Sequence, residues 1–377
     1  MIEPIRNPEV GVLYGGGSIA TSSSTSGLDV DSKGLRAVQD RTEKAAEKLG
    51  IRITHSRIVF NGLSENMLPS DWTRIALGAK EALEEERDGL TLSMGTDTAE
   101  YAAAALNFAL PDLPIPLAVT GAMNNFEDED SDAPDQLDDT LFVAAYSNLA
   151  GIFHVFDSQI IDGAHLHKLS AAKKVPWHLQ RYMSINVPPV GYVIRARERQ
   201  ISHNLFANFR QRTNFHPVIC FPDFDTEGSV FTYSIDPGFS GVNYVSSALE
   251  VGAKCIMLQA NGEDYLSEGS AYKNMQRLLR SATKKGVPVF LCPELSGYFD
   301  LKSSPNALGL RENGLIPLFD TPPSTAFVKA LWILQNPTPT DDPVEIIKRM
   351  LTNYIGEINT PLSDIFKSIL VAPYRKN

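Results

Sequence analysis

GVLYGGGSIATSSSTSG, residues 11–27, is an apolar run that ends in three glycines, a serine and a small polar tail. The run reads as a β-strand, and the residues after it decide which kind of α/β protein this is. Gly15, Gly17 and Ala20 match the spacing G-x-G-x-x-G/A of a dinucleotide-binding turn. That turn needs a helix to start at once, so that its N-terminus can hold a pyrophosphate. TSSSTSG is a poor helix start, because short hydroxyl side chains compete for the backbone bonds a helix needs. The Gly-Lys-Ser/Thr ending of a P-loop is missing, and Ala20 stands where a G-x-S-x-G nucleophile elbow has its last glycine. There remains a strand whose glycines let backbone approach a ligand and present Ser18, as a turn residue or as a nucleophile.

Outward from this strand, short apolar runs alternate with amphipathic stretches. Residues 9–14, 51–60, 90–93, 116–120 and 151–156 read as strands, and 34–49, 70–87, 97–110 and 137–150 as helices. That alternation predicts an α/β fold with a mainly parallel sheet covered on both faces, and ligands bound beyond the carboxyl ends of its strands. A second α/β unit is expected from strands at 216–220, 229–234, 254–259, 287–292 and 315–318 and helices at 243–250, 270–284 and 323–335. The reading is therefore an N-terminal α/β domain over 1–195, a basic linker over 196–215, a C-terminal α/β domain over 216–336 and an extension over 337–377. The extension opens on the proline-broken NPTPTDDPVE and holds two short helices, 343–354 and 361–370.

The 377 residues are 43% hydrophobic and 21% charged, enough for two domains with their own cores. The formal charge of -11 argues against nucleic-acid and anionic-membrane partners. FEDEDSDAPDQLDD, 126–139, holds eight of the acidic residues and reads as a solvated loop; without it the charge is about -3. Its spacing does not fit a calcium loop, and neither His165 and His167 nor His154 and His178 have zinc-site spacing, so no metal is assigned. Cys220, Cys255 and Cys292 lie far apart in apolar runs and read as buried structural thiols. No 18-residue apolar run exists and MIEPIRNPEV has no apolar signal core, so a cytoplasmic location is expected.

Other segments give Ser18 its context. GGSIA (16–20), GLSENMLPSDW (62–72), GTDTAEYAAAA (95–105), TGAM (120–123) and DGAHLHK (162–168) resemble, in order and spacing, the motifs of the bacterial-type asparaginase/glutaminase family. That family has GGTIA, D/L-S-x-x-M, GTDT, TGA and D-G-x-x-V-x-K. DPGF (236–239) and LQANG (258–262) are similar to its second-domain motifs, so the resemblance spans roughly 10–335. The LSENM and GTDT-x-x-Y-x-A-A-A variants look most like the amidotransferase subunit that frees ammonia from glutamine for transfer-RNA amidation.

The resemblance implies two α/β domains, an amidohydrolase acting on a small amide or amino acid, and no cofactor. It also implies a homodimer or homotetramer, with Asn261 and Glu294 as contributors to a partner's site. Ser18 takes the first nucleophile position, where the family has threonine; serine keeps the hydroxyl and loses the methyl that restricts χ1. Thr96, Asp97 and Lys168 match the second cluster. A buried lysine there feels desolvation, which favours its neutral form, and a carboxylate, which favours its charged form. The neutral form would take a proton from Thr96 or from water. Ser64, Glu65 and Asp97 match the positions that hold the substrate's α-carboxylate and α-amine, with a buried carboxylate facing the ammonium. The residues alone also allow Asp97 to cap the helix after GTDT, and Ser70 or an earlier residue to cap the one after LSENM. Two positions depart from the family: no tyrosine lies between Tyr14 and Tyr101, and Asn124 and Asn125 follow TGAM where an arginine is usual. The missing tyrosine and the serine at position 18 favour one rival to the hydrolase, an amino-acid-binding protein without activity; a second rival is an ammonia-donating subunit of an amidotransferase, for which an apolar patch on VEIIKRMLTNYI would speak.

Overall fold

The computed structural model describes residues 7–24, 27–30, 32–170, 180–196, 198–226, 228–235, 242–263, 269–359 and 362–375. DPGF (236–239) and His178 lie outside them. The chain divides into two compact units, Met1–Pro222 and Asp223–Asn377.

In the first unit the apolar runs become β1 (Glu9–Gly15), β4 (Arg52–Ile58), β5 (Gly89–Met94), β6 (Pro116–Thr120) and β7 (Leu149–Phe156). Between β1 and β4 come the hairpin strands β2 (Thr21–Ser24) and β3 (Gly27–Val30) and helix α1 (Ser32–Leu49). Helices α2 (Pro69–Glu81), α3 (Ala99–Ala109) and α4 (Ala133–Tyr146) connect the later strands. The chain then runs through β8 (Gln159–Asp162), β9 (Leu166–Lys168), β10 (Tyr182–Ser184), β11 (Gly191–Arg195), β12 (Arg199–His203) and β13 (Arg210–Gln211). The main sheet has the order β12-β11-β8-β7-β6-β5-β1-β4. Its pairings are parallel from β4 to β7 and antiparallel beyond. GLTLSM, PLAVT and LAGIFHVF are buried at every position, as strands covered on both faces must be. In α1 the buried Gly34, Val38, Thr42, Ala45 and Ala46 recur at helical spacing along one stripe.

Strand β1 is bordered by β4 on one side and by β5 on the other. The order 4-1-5-6-7 is that of a doubly wound sheet whose switch point falls between β1 and β5, the place at which folds of this type bind ligands.

Two expectations change here. The basic stretch 196–215 holds β12, which pairs with β11, and β13, which pairs with β7; the unit boundary falls after Pro222, and 216–220 is not a strand. The acidic run is not wholly a solvated loop. Asp138 and Asp139 are buried on α4 and meet the basic residues: Asp139 binds Arg195 at 2.7 Å and Arg199 at 3.0 Å, and Asp138 binds Arg41 at 2.7 Å. Each of these oppositely charged segments reads alone as linker or loop, because their pairing is invisible along the chain.

The second unit is a four-stranded parallel sheet in sequence order, β14 (Val230–Ser234), β15 (Cys255–Ala260), β16 (Val289–Pro293) and β17 (Leu315–Pro317). It carries α5 (Val242–Glu250), α6 (Gly269–Lys285), α7 (Pro305–Glu312), α8 (Pro323–Gln335), α9 (Pro343–Met350) and α10 (Asp364–Val371). Cys255 and Cys292 are buried in it, and burial pushes both thiols up to about 12. Among the described residues no helix is long and apolar enough to cross a membrane.

Candidate active site

Glycines bring the candidate residues together at the switch point. Gly17 has φ +80°, and a Cβ on it would lie 2.1 Å from both Cα and N of Gly95. A Cβ on Gly95 would lie 2.3 Å from Ser64 Oγ, and one on Gly16 2.4 Å from the Gly62 carbonyl oxygen. The turns after β1 and β5 and the GLSENM segment therefore touch backbone to backbone, which only glycine permits. Gly17 N–H also donates to the Gly62 carbonyl at 2.9 Å. Ser18, half-buried, opens a 3-10 turn one residue beyond Gly17; Thr96, buried, lies one residue beyond Gly95.

Lys168 Nζ donates to Thr96 Oγ1 at 3.0 Å and to Asp97 Oδ1 at 2.5 Å. The Lys168 side chain is 11% exposed and that of Asp97 53%, so the carboxylate faces the open side rather than being buried as expected. Asp97 does not cap the following helix: the N-cap position of α3 is Thr98, whose hydroxyl donates to the Ser64 carbonyl at 3.2 Å. Buried Ser64 Oγ accepts the Asp97 N–H at 3.3 Å, and Glu65 is exposed beside it. The cap of α2 is Leu68, with Pro69 next and Asp71 accepting the Leu68 N–H at 2.8 Å. The loop after TGAM closes on itself: Asp132 accepts the N–H groups of Met123 and Asn124, and Asn125 those of Glu127 and Asp128.

Three neighbours of this cluster escape the sequence reading. Glu100 accepts the Lys168 N–H at 2.8 Å and lies 3.1 Å from His167 Nδ1. Tyr182 donates its hydroxyl to the Thr96 carbonyl at 2.7 Å, and burial pushes that hydroxyl well above its usual range. The His154 ring centroid is 4.3 Å from that of Tyr182; burial, with Lys168 nearby, lowers the imidazole to about 3. Glu100 has only the signature of a helix-start acid, and nothing local ties Tyr182 or His154 to Thr96. His165 turns elsewhere, its Nδ1 3.0 Å from the Ile185 carbonyl. Among the described residues no cluster of His, Cys, Asp or Glu side chains is set to hold a metal. In the second unit Asn261 is exposed and Glu294 half-buried, Glu294 donating its N–H to the Ala260 carbonyl.

Comparison with known proteins matches residues 9–205 to the family model described as Asparaginase, N-terminal. A glutamyl-tRNA(Gln) amidotransferase subunit from Sulfurisphaera tokodaii is 30% identical over 81% of this chain, which spans 65% of that protein's length. The amidotransferase subunit of the same name from Thermococcus kodakarensis is 30% identical over 93% of this chain and 76% of its own length. The solved thermostable L-asparaginase from Thermococcus kodakarensis superposes with a TM-score of 0.77 at 27% identity, covering 94% of this chain and all of the other. The L-asparaginase I of Vibrio cholerae gives the same TM-score at 22% identity over 94% and 99%, a likeness of fold. The doubly wound sheet and these matches define an α/β enzyme of the amidohydrolase type. The chain belongs to the asparaginase family.

Proposed function

We propose that this enzyme releases ammonia from the side-chain amide of asparagine, glutamine or a related small amide through an ester on Ser18. The observation that carries the reading is the contact of Gly17 with Gly95, which sets the Ser18 turn beside Thr96, Asp97 and Lys168. Amide hydrolysis is hard in one step, and a covalent ester divides it into two easier ones. Ser18 Oγ bonds to the amide carbon, the C–N bond breaks, and the nitrogen leaves as ammonia carrying the serine proton. Water then cleaves the ester, giving a carboxylate and restoring the hydroxyl. Thr96 supplies the second hydroxyl, and the Thr96–Asp97–Lys168 group, joined through Lys168 Nζ, activates that hydroxyl or the attacking water. Ser64, Glu65 and Asp97 hold the amino-acid end of the substrate, with exposed Glu65 and Asp97 giving an ammonium two carboxylates to meet. The enzyme works as a homo-oligomer in this reading.

The test is ammonia release from a panel of free and N-acylated asparagine, glutamine and other small amides. Activity on one amide, cut about 1000-fold or more by Ser18→Ala and by Lys168→Ala, is the expected result. Silence of the wild type, with aspartate still binding by calorimetry, would turn the reading to an amino-acid-binding protein. The names of the amidotransferase relatives support a second reading, an ammonia-donating subunit of such a complex. A strong preference for glutamine over asparagine in the panel would favour it.

A further inference from the structure

We propose that Tyr182 is a positioning residue for Thr96, and that it acts together with Lys168 as one rung of the β9–β10 ladder. This deepens the hydrolase reading and rests on it. Lys168 and Tyr182 are directly opposite each other in the antiparallel pair of β9 and β10. Side chains on opposed residues of such a pair leave the same face as neighbours. Here they converge on one residue of another element: Lys168 Nζ bonds the Thr96 side-chain oxygen at 3.0 Å, and the Tyr182 hydroxyl bonds the Thr96 main-chain carbonyl at 2.7 Å. The rung thus grips Thr96 at both ends. Thr96 needs such a grip because it lies in the turn between β5 and α3, where neither a strand ladder nor a helix fixes its carbonyl.

The rung is itself held on three sides. Glu100, at the start of α3, accepts the Lys168 backbone N–H at 2.8 Å, tying β9 to the helix that Thr96 precedes. The Tyr182 ring is packed against His154 at 4.3 Å and Phe156 at 5.1 Å, both on β7, so its hydroxyl has little freedom to turn away. Tyr182 is 2% exposed and His154 fully buried, and among the described residues neither ring nitrogen of the histidine has a hydrogen-bond partner. A polar ring so placed costs stability, and what it touches is the tyrosine that holds Thr96. A small displacement of a reacting hydroxyl costs rate far more than it costs binding. Thr96 is placed by this rung, and the substrate's amino-acid end is held by other residues.

Tyr182→Phe deletes one oxygen and keeps the ring. With an amide that the wild type hydrolyses, kcat is expected to fall about 10-fold or more while KM changes less than about 3-fold. The thermal midpoint and circular dichroism show whether the variant is folded. Should it not accumulate as folded protein, 3-fluorotyrosine installed at position 182 keeps the ring and strengthens the donor, and a changed kcat at constant KM gives the same support. Wild-type kcat in the folded phenylalanine or the fluorinated protein overturns the proposal, and so does a loss confined to KM. If Lys168→Ala is inactive while Tyr182→Phe is unaffected, the hydrolase reading stands and only the tyrosine's role falls. A wild type silent on the whole panel overturns both.

Discussion

Among single residues, His154 carries a prediction that needs no substrate. Its imidazole is fully buried against Phe156 and Tyr182, and burial, with the Lys168 charge nearby, holds it neutral down to about pH 3. In the unfolded chain the same group titrates near about 6.5. Below that pH the unfolded state binds a proton that the folded state refuses, so stability is complete above about 6.5 and is lost as pH falls towards 3. Between pH 6.5 and 4.5 this amounts to about 2–3 kcal/mol. His154→Phe should flatten that part of the acid limb in denaturant titrations; an unchanged pH dependence would refute the assignment. Gly17 offers a second test. With φ +80° and the Gly95 backbone 2.1 Å from any added Cβ, Gly17→Ala should cost about 2 kcal/mol or more and abolish ammonia release, read by thermal melts and assay. Tyr14 does not replace the tyrosine missing after Ser18: it lies buried in β1, where burial raises its hydroxyl above the usual range.

At the scale of elements, α4 is fastened to the antiparallel edge of the sheet by charge. Asp139 is fully buried between Arg195 and Arg199, whereas Asp135, on the same helix, is 60% exposed and, among the described residues, meets only Arg195. Removing one partner of a buried pair leaves the other uncompensated, so Asp139→Asn should cost about 2–3 kcal/mol. Asp135→Asn should cost less than about 0.5 kcal/mol. Equal melting-point losses in the two variants would contradict this. Elements also differ in how far their sequence betrays them. Central strands such as PLAVT are legible because burial on both faces leaves an unbroken apolar run, and α1 because its buried residues repeat at helical spacing. The β2–β3 hairpin is not, since TSSS has no apolar residue and the alternation in GLDV spans only four residues. Nor is the meeting of 126–139 with 195–199, a pairing made by the fold across some 60 residues. The candidate site divides in the same way. Ser18, Thr96, Asp97 and Lys168 stand in motifs whose order singles them out as candidates, while Tyr182 and His154 acquire their place only when β9–β10 folds over β7 and α3.

Taken whole, the chain is two units with separate cores, and described residues of the C-terminal extension are buried in the second unit rather than forming an appendage to it. Ile346, Ile347, Met350 and Leu351 are buried, and Tyr374 donates its hydroxyl to the Gly314 carbonyl at 2.8 Å. The firmest link is an ion pair with no exposure on either side. Lys329 of α8 bonds Glu357 at 2.5 Å and the Thr352 carbonyl at 2.6 Å, and Glu357 also accepts the N–H groups of Tyr354 and Ile355. Burial pulls the Lys329 ammonium below its usual range, and Glu357 opposes that pull. Two charges taken out of water gain little net stability over apolar residues, but losing one partner strands the other. Glu357→Leu alone should therefore destabilise the protein by about 3–5 kcal/mol, and Lys329→Met alone should also cost stability, while the two combined should recover most of the loss. The cycle is read from denaturant midpoints of the two single variants and the double. Additive losses would mean that the pair does not hold the terminal segment to α8. Recovery in the double would show that the single variants lose stability through the stranded charge, and that the pair itself adds little over apolar packing between α8 and the terminal segment.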